Sequence, residues 1–390
     1  MTTHAGDDEA PHGPPVCLDH VRHSLRAHGA LPCHEHRVLR LWSNALPQDS
    51  GKRKLHDFLP LGVRAVLPSI EADLAGLARL VSEHLADDGS ARLLVGLHDG
   101  QTVEAVLLPR DGVCVSTQVG CAVGCVFCMT GQGGLLRQLG SAEIVAQVAL
   151  ARRLRTVKKV VFMGMGEPAH NLDNVMDAIE LLGREGGIGH KNLVFSTVGD
   201  RRVFERLAQG AVRPALALSL HSTNAARRAQ LLPRAPAIGL EELVDLGERY
   251  AQASGYPVQV QWTLLAGIND GDDELDGIVR LLAGKRAILN MIPYNAVDGV
   301  DFQRPSPERA REIAQTLHRR GVLTKLRQSA GQDIDGGCGQ LRSRQGARLP
   351  ASAVRGQAMH WQRAVSPTPA RREAVVADDA VATFARTRAA

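Results

Sequence analysis

The sequence contains few aromatic residues and no long uncharged apolar run. Its 390 residues include three Trp, three Tyr and seven Phe, so its core must be built mainly from Leu, Val, Ile and Ala. No apolar run approaches the ~18 residues that a membrane-spanning helix needs. The first residues, MTTHAGDDEAPHGPP, include no apolar segment like that of a secretory signal. We therefore expect a cytoplasmic protein with no membrane association.

Charge and cysteine content narrow the possible functions. The formal net charge is +5, but the region from Arg342 onward carries nine Arg and three acidic residues, which leaves the rest of the chain nearly neutral. A nucleic-acid surface on that remainder would have to be a local patch. In a reducing compartment, the seven cysteines indicate metal ligands or reactive groups rather than structural disulfides.

The pattern along the chain predicts four regions. These are a disordered segment (1–15), a helical N-terminal accessory domain (16–90), a core domain that begins with a β-hairpin (91–345), and a disordered Arg- and Ala-rich tail (346–390). Helical spacing broken by Gly29 and Pro32 predicts two short helices in 16–45. One or two further helices are expected in 62–85, and Asp99-Gly100 marks the hairpin turn.

From residue 113 to about 329, apolar strand-like runs alternate with helical segments. The predicted strands lie at 113–117, 158–164, 191–197, 214–222, 256–265, 287–293 and 321–327. The clearest helices are Ser141 to Leu154, Asn174 to Arg184, Leu240 to Ala253 and Glu308 to Arg319, with Ser141 as a predicted N-cap and Pro307 near a helix start. This alternation predicts an α/β fold, a parallel sheet in a partial (β/α)6 barrel, with chemistry at the C-terminal strand ends.

The stretch VSTQVGCAVGCVFCMTGQGG places Cys121, Cys125 and Cys128 in a Gly-rich loop after the first strand of this series. One interpretation is a zinc site completed by a distant ligand, although zinc sites favour paired Cys-x2-Cys spacing. The other is an iron–sulfur cluster, which takes thiolate ligands and can leave one iron without a protein ligand. The position of the loop at a strand end favours the cluster.

Polar groups also follow the later strands. Gly166 and Glu167 lie in FMGMGEP; Gly166 permits close backbone approach to a ligand, and Glu167 could accept hydrogen bonds from an ammonium group. The other strand-end residues are Ser196, Ser219, Leu220, His221 and Asn295. Each alone is compatible with a turn or cap. Their recurrence at successive strand ends instead indicates the lining of one ligand site, although His221 could simply hydrogen-bond within the barrel mouth.

Two further cysteines fall close to this predicted site. Cys338 lies among glycines in GQDIDGGCGQL, which indicates an accessible thiol, whereas Cys114 lies within the first strand. Together with the preceding residues, these motifs resemble the RlmN/Cfr family of radical S-adenosylmethionine (SAM) RNA methyltransferases. The resemblance runs from about Val103 to Leu341 and includes CAVGCVFCMTG, MGMGEP, SLHSTN, GIND, IPYN and DIDGGCGQL.

The resemblance implies a function for each matching residue. Cys121, Cys125 and Cys128 would hold a [4Fe-4S] cluster, and the strand-end residues Gly166, Glu167, Ser196, Ser219, Leu220, His221 and Asn295 would bind SAM. Cys338 would take a methyl group from one SAM, a radical from a second SAM would activate that methyl, and an adenine carbon would receive it. Cys114 would then resolve the RNA adduct through a transient disulfide with Cys338, and Glu104 would accept a proton. Glu104 could equally face solvent from its strand.

The same resemblance implies the partners. The substrate would be an adenosine, methylated at C2, in ribosomal RNA and also transfer RNA, with C8 as the alternative position. The enzyme would be a monomer supplied with electrons by an external donor such as flavodoxin. A radical SAM enzyme of another RNA or of a peptide, and a non-enzymatic zinc-binding RNA protein, remain alternatives. Gly336-Gly337 departs from the usual Ala-Ala before the methylated cysteine. His and Arg residues near CHEH (33–36) could touch RNA phosphates or bind a metal.

Overall fold

The computed structural model describes residues 14–342. The α-helices are α1 (Leu18–Ala27), α2 (Pro32–Ser43), α3 (Leu55–Phe58), α4 (Leu61–Gly76), α5 (Met129–Gln132), α6 (Ser141–Leu154), α7 (Leu172–Arg184), α8 (Arg201–Gln209), α9 (Ala225–Leu231), α10 (Leu240–Ser254), α11 (Asp272–Leu282) and α12 (Pro307–Arg319). Short 3-10 helices occur at Pro168–Asn171, His190–Asn192 and Gln332–Ile334.

The strands are β1 (Arg79–Leu85), β2 (Ala91–Gly96), β3 (Thr102–Leu108), β4 (Gly112–Cys114), β5 (Gln118–Gly120), β6 (Leu135–Gln138), β7 (Lys159–Phe162), β8 (Leu193–Thr197), β9 (Ala215–Ser219), β10 (Val258–Leu264), β11 (Ala287–Pro293) and β12 (Thr324–Leu326). Ten of them form one sheet in the order β1-β2-β3-β4-β7-β8-β9-β10-β11-β12, and β5 pairs with β6. From β4 to β12 every pairing in the large sheet is parallel. The predicted parallel α/β sheet, consistent with a partial barrel, is confirmed.

The parallel strands are covered by helices because they are apolar on both faces. Leu, Val, Ile and Ala dominate the core, as the scarcity of aromatics predicts, and Trp262, Phe162 and Phe195 are its largest fully buried side chains. Phe162 of β7 lies opposite Phe195 of β8 in the parallel register. The polar residues that follow these strands are thereby brought to one end of the sheet.

Several local predictions are confirmed. Helices α1 and α2 are the two predicted N-terminal helices, β2 and β3 form the predicted hairpin, and α6 begins and ends at the predicted residues. Pro307 is the first residue of α12, and the Ser306 hydroxyl caps that helix by accepting a hydrogen bond from the Arg309 N–H. These features depend on local sequence signals, which explains why they could be predicted.

Two local predictions are wrong. One or two helices were expected in residues 62–85, but only helix α4 forms there; it ends at Gly76, and Arg79–Leu85 form strand β1, whose backbone pairs with β2. Ser141 is not the N-cap of α6. Gly140 holds that position, with its N–H donated to Glu143 Oε2 at 2.7 Å, while the Ser141 hydroxyl accepts the Leu18 N–H at 2.8 Å. Ser141 thus joins α1 to the barrel.

The two ends of the large sheet are β1 and β12. The segment after β12 lies against the turn between β1 and β2. The Gly331 N–H donates to Asp88 Oδ2 at 3.0 Å, and the Asp87 N–H donates to Asp333 Oδ2 at 3.2 Å. Arg92 Nε donates to the Ile334 carbonyl at 2.6 Å. Through these contacts, the residues just before Cys338 connect the end of the sheet at β12 to the end at β1.

The N-terminal helices share the core of the barrel. Leu18, Val38 and Trp42 belong to the same buried cluster as the apolar residues of the sheet, and α2 packs on α6 and α7. The predicted disordered segments lie outside the described residues, except for residues 14 and 15. No helix within the described range is long and apolar enough to cross a membrane.

Candidate active site

The three clustered cysteines lie between β5 and α5, in a loop held by backbone hydrogen bonds. The Cys121 N–H donates to the Gly134 carbonyl at 2.8 Å, and the Cys128 N–H donates to the Cys125 carbonyl at 3.1 Å. Gly120 precedes the loop with φ of 80°, and a Cβ at this position would lie 2.0 Å from the Gly134 oxygen. Only glycine therefore allows β5 and β6 to approach closely enough to form the base of the loop.

The three cysteines belong to one apolar cluster, in which Cys121 is buried and Cys125 and Cys128 are partly buried. Burial, with a smaller contribution from the neighbouring Cys128, raises the pKa of Cys121 to about 12. Burial, then Cys128 and Cys121, raise the pKa of Cys125 well above its ordinary value. Backbone groups of Val123 and Gly124 hydrogen-bond to the Cys121 sulfur. Three free thiolates this close together would repel one another. A positively charged iron–sulfur core would remove that repulsion, because metal binding displaces the thiol protons. Backbone N–H groups would further stabilise the sulfurs that bind the metal.

The FMGMGEP loop lies close to these cysteines. Gly166 has φ of 104°, and a Cβ there would lie 2.7 Å from the Gln118 side chain. The Glu167 N–H donates to Gln118 Oε1 at 2.7 Å, while its carboxylate accepts the Ala169 N–H at 3.1 Å and the Val198 N–H at 3.0 Å. The loop therefore presents a fixed carboxylate beside the cysteines.

Burial raises the pKa of Glu167 to about 7, although hydrogen bonds from Thr197, Ala169 and Val198 lower it. The carboxylate is 5% exposed. It also raises the pKa values of Cys121 and Cys125, so its charge reaches the metal-binding loop. A buried acid of this kind is suited to binding a cationic group, which would favour its ionised form.

Arg228, on α9, supplies a buried positive charge that the sequence did not predict. Its guanidinium donates to the Val198, Ser219 and Leu220 carbonyls at the ends of β8 and β9. Burial lowers its pKa to about 10, whereas Cys125 and Glu167 raise it. Arg228 therefore offsets negative charge at the site. The sequence does place Arg228 on a short helix directly after SLHSTN, which suggests that it lies near the site. Nothing in the sequence shows that its side chain points into the site.

His221 has an unusual backbone with φ of 60°, held by Asn269. Asn269 Nδ2 donates to the His221 carbonyl at 2.7 Å, and the His221 Nδ1 accepts the Thr263 N–H at 2.9 Å. Burial lowers the pKa of His221 to about 3, with a smaller effect from Arg228. The ring is therefore neutral near pH 7, with its proton on Nε2, and it packs edge-on against Phe127 at 5.0 Å. The hydrogen bond within the barrel mouth, which the sequence offered as the alternative role of His221, is present.

The loop that carries Cys338 is attached directly to the cysteine loop. The Met129 N–H donates to the Gly339 carbonyl at 2.7 Å, and the Thr130 hydroxyl donates to the Leu341 carbonyl at 2.6 Å. Cys338 is exposed, while desolvation by the surrounding protein and the nearby Cys128 raise the pKa of its thiol. Residues more than two hundred positions apart are thus brought together.

Cys114 lies buried in β4, within electrostatic range of Cys338. Burial raises the pKa of Cys114 to about 12, and Cys338 adds to this effect. Both residues are free thiols. The disulfide that the resemblance implied is therefore not supported, because no two cysteines in the described part of the chain lie at disulfide distance.

The alternative in which Glu104 faces solvent is wrong. Its side chain is fully buried, and its carboxylate accepts hydrogen bonds from Arg92 Nη1 at 2.5 Å and from the Arg342 N–H at 2.9 Å. The Glu104 carbonyl also accepts the Ser116 hydroxyl at 2.6 Å. Glu104 thus connects the hairpin to the chain that follows Cys338.

The remaining predicted residues lie at the expected strand ends. Ser196 and Ser219 are half-buried near the ends of β8 and β9, and the Leu220 N–H donates to the Gln261 carbonyl. Asn295 follows β11, but its amide group contacts Ser329 and Cys338. In the N-terminal helices, the rings of His20 and His34 accept backbone N–H groups of Cys17 and Leu31. Across the described range, no three His, Cys, Asp or Glu side chains are placed to hold a single metal ion.

These features define an α/β enzyme of the radical SAM superfamily, whose sequence pattern matches residues 115–282. The chain is similar to a solved radical SAM methyltransferase from Sphaerobacter thermophilus, with 35% identity, a TM-score of 0.71, and coverage of 84% of this chain and 98% of that one. Members of the superfamily use a [4Fe-4S] cluster and SAM.

Closer sequence relatives identify the family. A probable RNA methyltransferase of Methylibium petroleiphilum is 74% identical over 84% of this chain and 93% of its own length. Another, from Aromatoleum aromaticum, is 70% identical over 87% of this chain and 95% of its own length. The chain belongs to this family of radical SAM RNA methyltransferases.

Proposed function

We propose that the enzyme methylates C2 of an adenosine in ribosomal RNA, with transfer RNA as a second substrate, and that Cys338 carries the methyl group. The proposal depends on one observation: the loop that carries the exposed Cys338 is hydrogen-bonded to the residues that directly follow Cys121, Cys125 and Cys128. An enzyme that only abstracts a hydrogen atom has no need of such a thiol. A covalent methyl carrier needs a nucleophile in this position.

Cys121, Cys125 and Cys128 would hold the cluster, and Gly166, Glu167, Ser196, Ser219, Leu220 and His221 would line the SAM site. When bound, the cluster and SAM supply a methyl group and a radical able to remove a hydrogen atom from it. The lack of a side chain at Gly166 lets the loop that carries Glu167 pack closely on Gln118, because a Cβ there would lie 2.7 Å from the Gln118 side chain. The carboxylate of Glu167 would accept hydrogen bonds from an ammonium group.

The surrounding residues keep this chemistry oriented. Arg228 offsets negative charge near Cys125 and Glu167. The His221 ring is neutral near pH 7 and presents its Nε2–H as a donor. Glu104, held by Arg92, would act as the proton acceptor for the adenine carbon. The Glu104 carboxylate is buried and already hydrogen-bonded, so it would have to release one of these hydrogen-bond partners in order to accept a proton.

An RNA substrate is supported by the relatives from Methylibium petroleiphilum and Aromatoleum aromaticum, which are named probable RNA methyltransferases. We place the reaction in the cytoplasm, in a monomer served by an electron donor such as flavodoxin.

The test is the adenosine methylation pattern of a deletion strain complemented with wild-type protein, Cys338→Ala or Cys33→Ala. Cys33 is an exposed cysteine in α2 and serves as the matched control. Mass spectrometry should show 2-methyladenosine in ribosomal RNA restored by wild type and Cys33→Ala but not by Cys338→Ala. If 8-methyladenosine were restored instead, the methylated position would be C8 and the proposal of C2 would be wrong. Full activity of Cys338→Ala would refute the carrier role.

A further inference from the structure

Arg92 in β2 and Glu104 in β3 form a buried ion pair on one face of the large sheet. In the antiparallel register Arg92 lies opposite Val106 and Glu104 lies opposite Leu94, so the two side chains are diagonal neighbours on the same face. Arg92 Nη1 donates to Glu104 Oε1 at 2.5 Å, and the two residues are 5% and 0% exposed. Cys114 lies opposite Val106 on the other side of β3 and therefore shares this face.

The loop that carries Cys338 contacts this ion pair through both of its flanks. On the N-terminal side, Arg92 Nε donates to the Ile334 carbonyl at 2.6 Å. On the C-terminal side, the Arg342 N–H donates to Glu104 Oε2 at 2.9 Å. A guanidinium donates from several nitrogens in one plane, so a single arginine can hold Glu104 and Ile334 at the same time. The ion pair and the loop are therefore fixed relative to each other.

The two printed contacts of the Glu104 carboxylate differ in strength. Oε1 faces the charged guanidinium of Arg92, whereas Oε2 faces the backbone N–H of Arg342. Breaking a buried ion pair costs more than releasing one hydrogen bond to a backbone N–H. Oε2 is therefore the oxygen that is more easily freed to take up a proton, while Arg92 keeps the carboxylate in place.

We propose that Arg92 is a positioning residue for the reaction: it orients the Glu104 carboxylate toward the adenine carbon and fixes it relative to the loop of Cys338. This inference rests on the proposed function, in which Cys338 carries the methyl group and Glu104 accepts the proton. In that step the C–H bond of the adenine carbon breaks, its proton goes to a Glu104 oxygen, and its electron pair stays in the ring. Methyl transfer from SAM to Cys338 comes earlier and does not involve Glu104.

The two steps can be measured separately in the reconstituted full-length enzyme with SAM, dithionite and a ribosomal RNA transcript. Arg92→Gln should keep the methylation of Cys338 within about 2-fold of wild type but form 2-methyladenosine about 30-fold more slowly, with RNA held covalently on the protein, as in Glu104→Gln. Arg92→Lys keeps a positive charge beside Glu104 and should give an intermediate rate. Arg155→Gln is the matched control, because Arg155 Nη1 donates to the Gly89 carbonyl in the turn before β2.

Combining Arg92→Gln with Glu104→Gln should be no slower than Glu104→Gln alone, because both changes act through one carboxylate. Wild-type product formation by Arg92→Gln, or losses that multiply in the double variant, would overturn the proposal. A merely structural role would also reduce the methylation of Cys338.

A second measurement needs neither SAM nor RNA. Hydrogen exchange of residues 331–341 should be about 10-fold faster in Arg92→Gln, because the loop loses its contact at Ile334. Arg92→Lys, which retains the ion pair, serves for both measurements if circular dichroism shows that Arg92→Gln is unfolded. Unchanged exchange would overturn the link between Arg92 and the loop. A wild-type Cys338 that never acquires a methyl group would instead refute the proposed function, and the exchange rates would still decide whether Arg92 holds the loop.

Discussion

Replacing Glu167 with Gln removes a carboxyl group that is buried beside the cysteine loop. Burial raises the pKa of Glu167 from its ordinary value of 4.5 to about 7. In the unfolded chain the carboxyl ionises near 4.5, so protonated Glu167 favours the folded state. That contribution is fully present below pH 4.5 and is lost as pH rises through 7. The protein without cluster or SAM should therefore lose stability across this window.

The expected magnitude follows from the two pKa values. One pKa unit corresponds to ~1.4 kcal/mol, so raising the pKa of Glu167 to about 7 makes ionisation cost the folded protein ~3 kcal/mol at pH 8. Part of this cost is already present at pH 5, where the unfolded carboxyl is mostly ionised. The difference between pH 5 and pH 8 attributable to Glu167 is therefore ~2.5 kcal/mol.

Urea unfolding of wild type and Glu167→Gln at pH 5, 6, 7 and 8 measures this difference directly. The stability of wild type relative to the variant should fall by ~2.5 kcal/mol from pH 5 to pH 8. Subtracting the variant cancels His221 and the other titrating groups. Glu205→Gln, an exposed substitution on α8, should follow wild type at every pH. A wild-type profile parallel to that of Glu167→Gln would show that burial does not raise the pKa of Glu167, and the reasoning would fail.

Two further predictions concern the surrounding structure. Gly166→Ala should weaken SAM binding at least 10-fold by equilibrium dialysis, because its Cβ would lie 2.7 Å from the Gln118 side chain at φ of 104°; unchanged affinity would contradict the close-approach role. Glu274→Ala should destabilise the fold by ~3–5 kcal/mol in urea unfolding, because Ser222, Thr223 and Arg227 all donate to this buried carboxylate; a loss below ~1 kcal/mol would contradict this account.

The sequence was most informative where function depends on short spacing. Cys121, Cys125 and Cys128 lie within one loop, so their spacing alone indicated thiolate ligands after the first strand. The alternation of apolar runs and helical segments likewise predicted the parallel sheet, because strand and helix periodicities are local properties. The position of Glu167 at a strand end followed from that prediction, since parallel strands place their C-terminal ends together.

Prediction failed where long-range packing decides the outcome. Residues 79–85 form strand β1 because their backbone pairs with β2. This pairing could not be predicted, because a short apolar run does not by itself distinguish a strand from a helix. The Glu104 carboxylate is buried because Arg92 and the Arg342 N–H meet it from distant parts of the chain. Arg228 was missed because its inward orientation depends on carbonyls at the ends of β8 and β9.

The sequence by itself determined the spacing of Cys121, Cys125 and Cys128, the alternation of strands and helices in the core, and the radical SAM family, because each is encoded in residue type and spacing. Only the tertiary structure decided that the Cys338 loop lies on the cysteine loop, that Cys114 and Cys338 remain separate thiols, and that Asn295 faces Cys338. These are contacts between residues far apart in the chain. The positions of these residues depend on how the strands and loops pack together and on which buried polar groups form hydrogen bonds with one another. No local sequence pattern encodes these contacts.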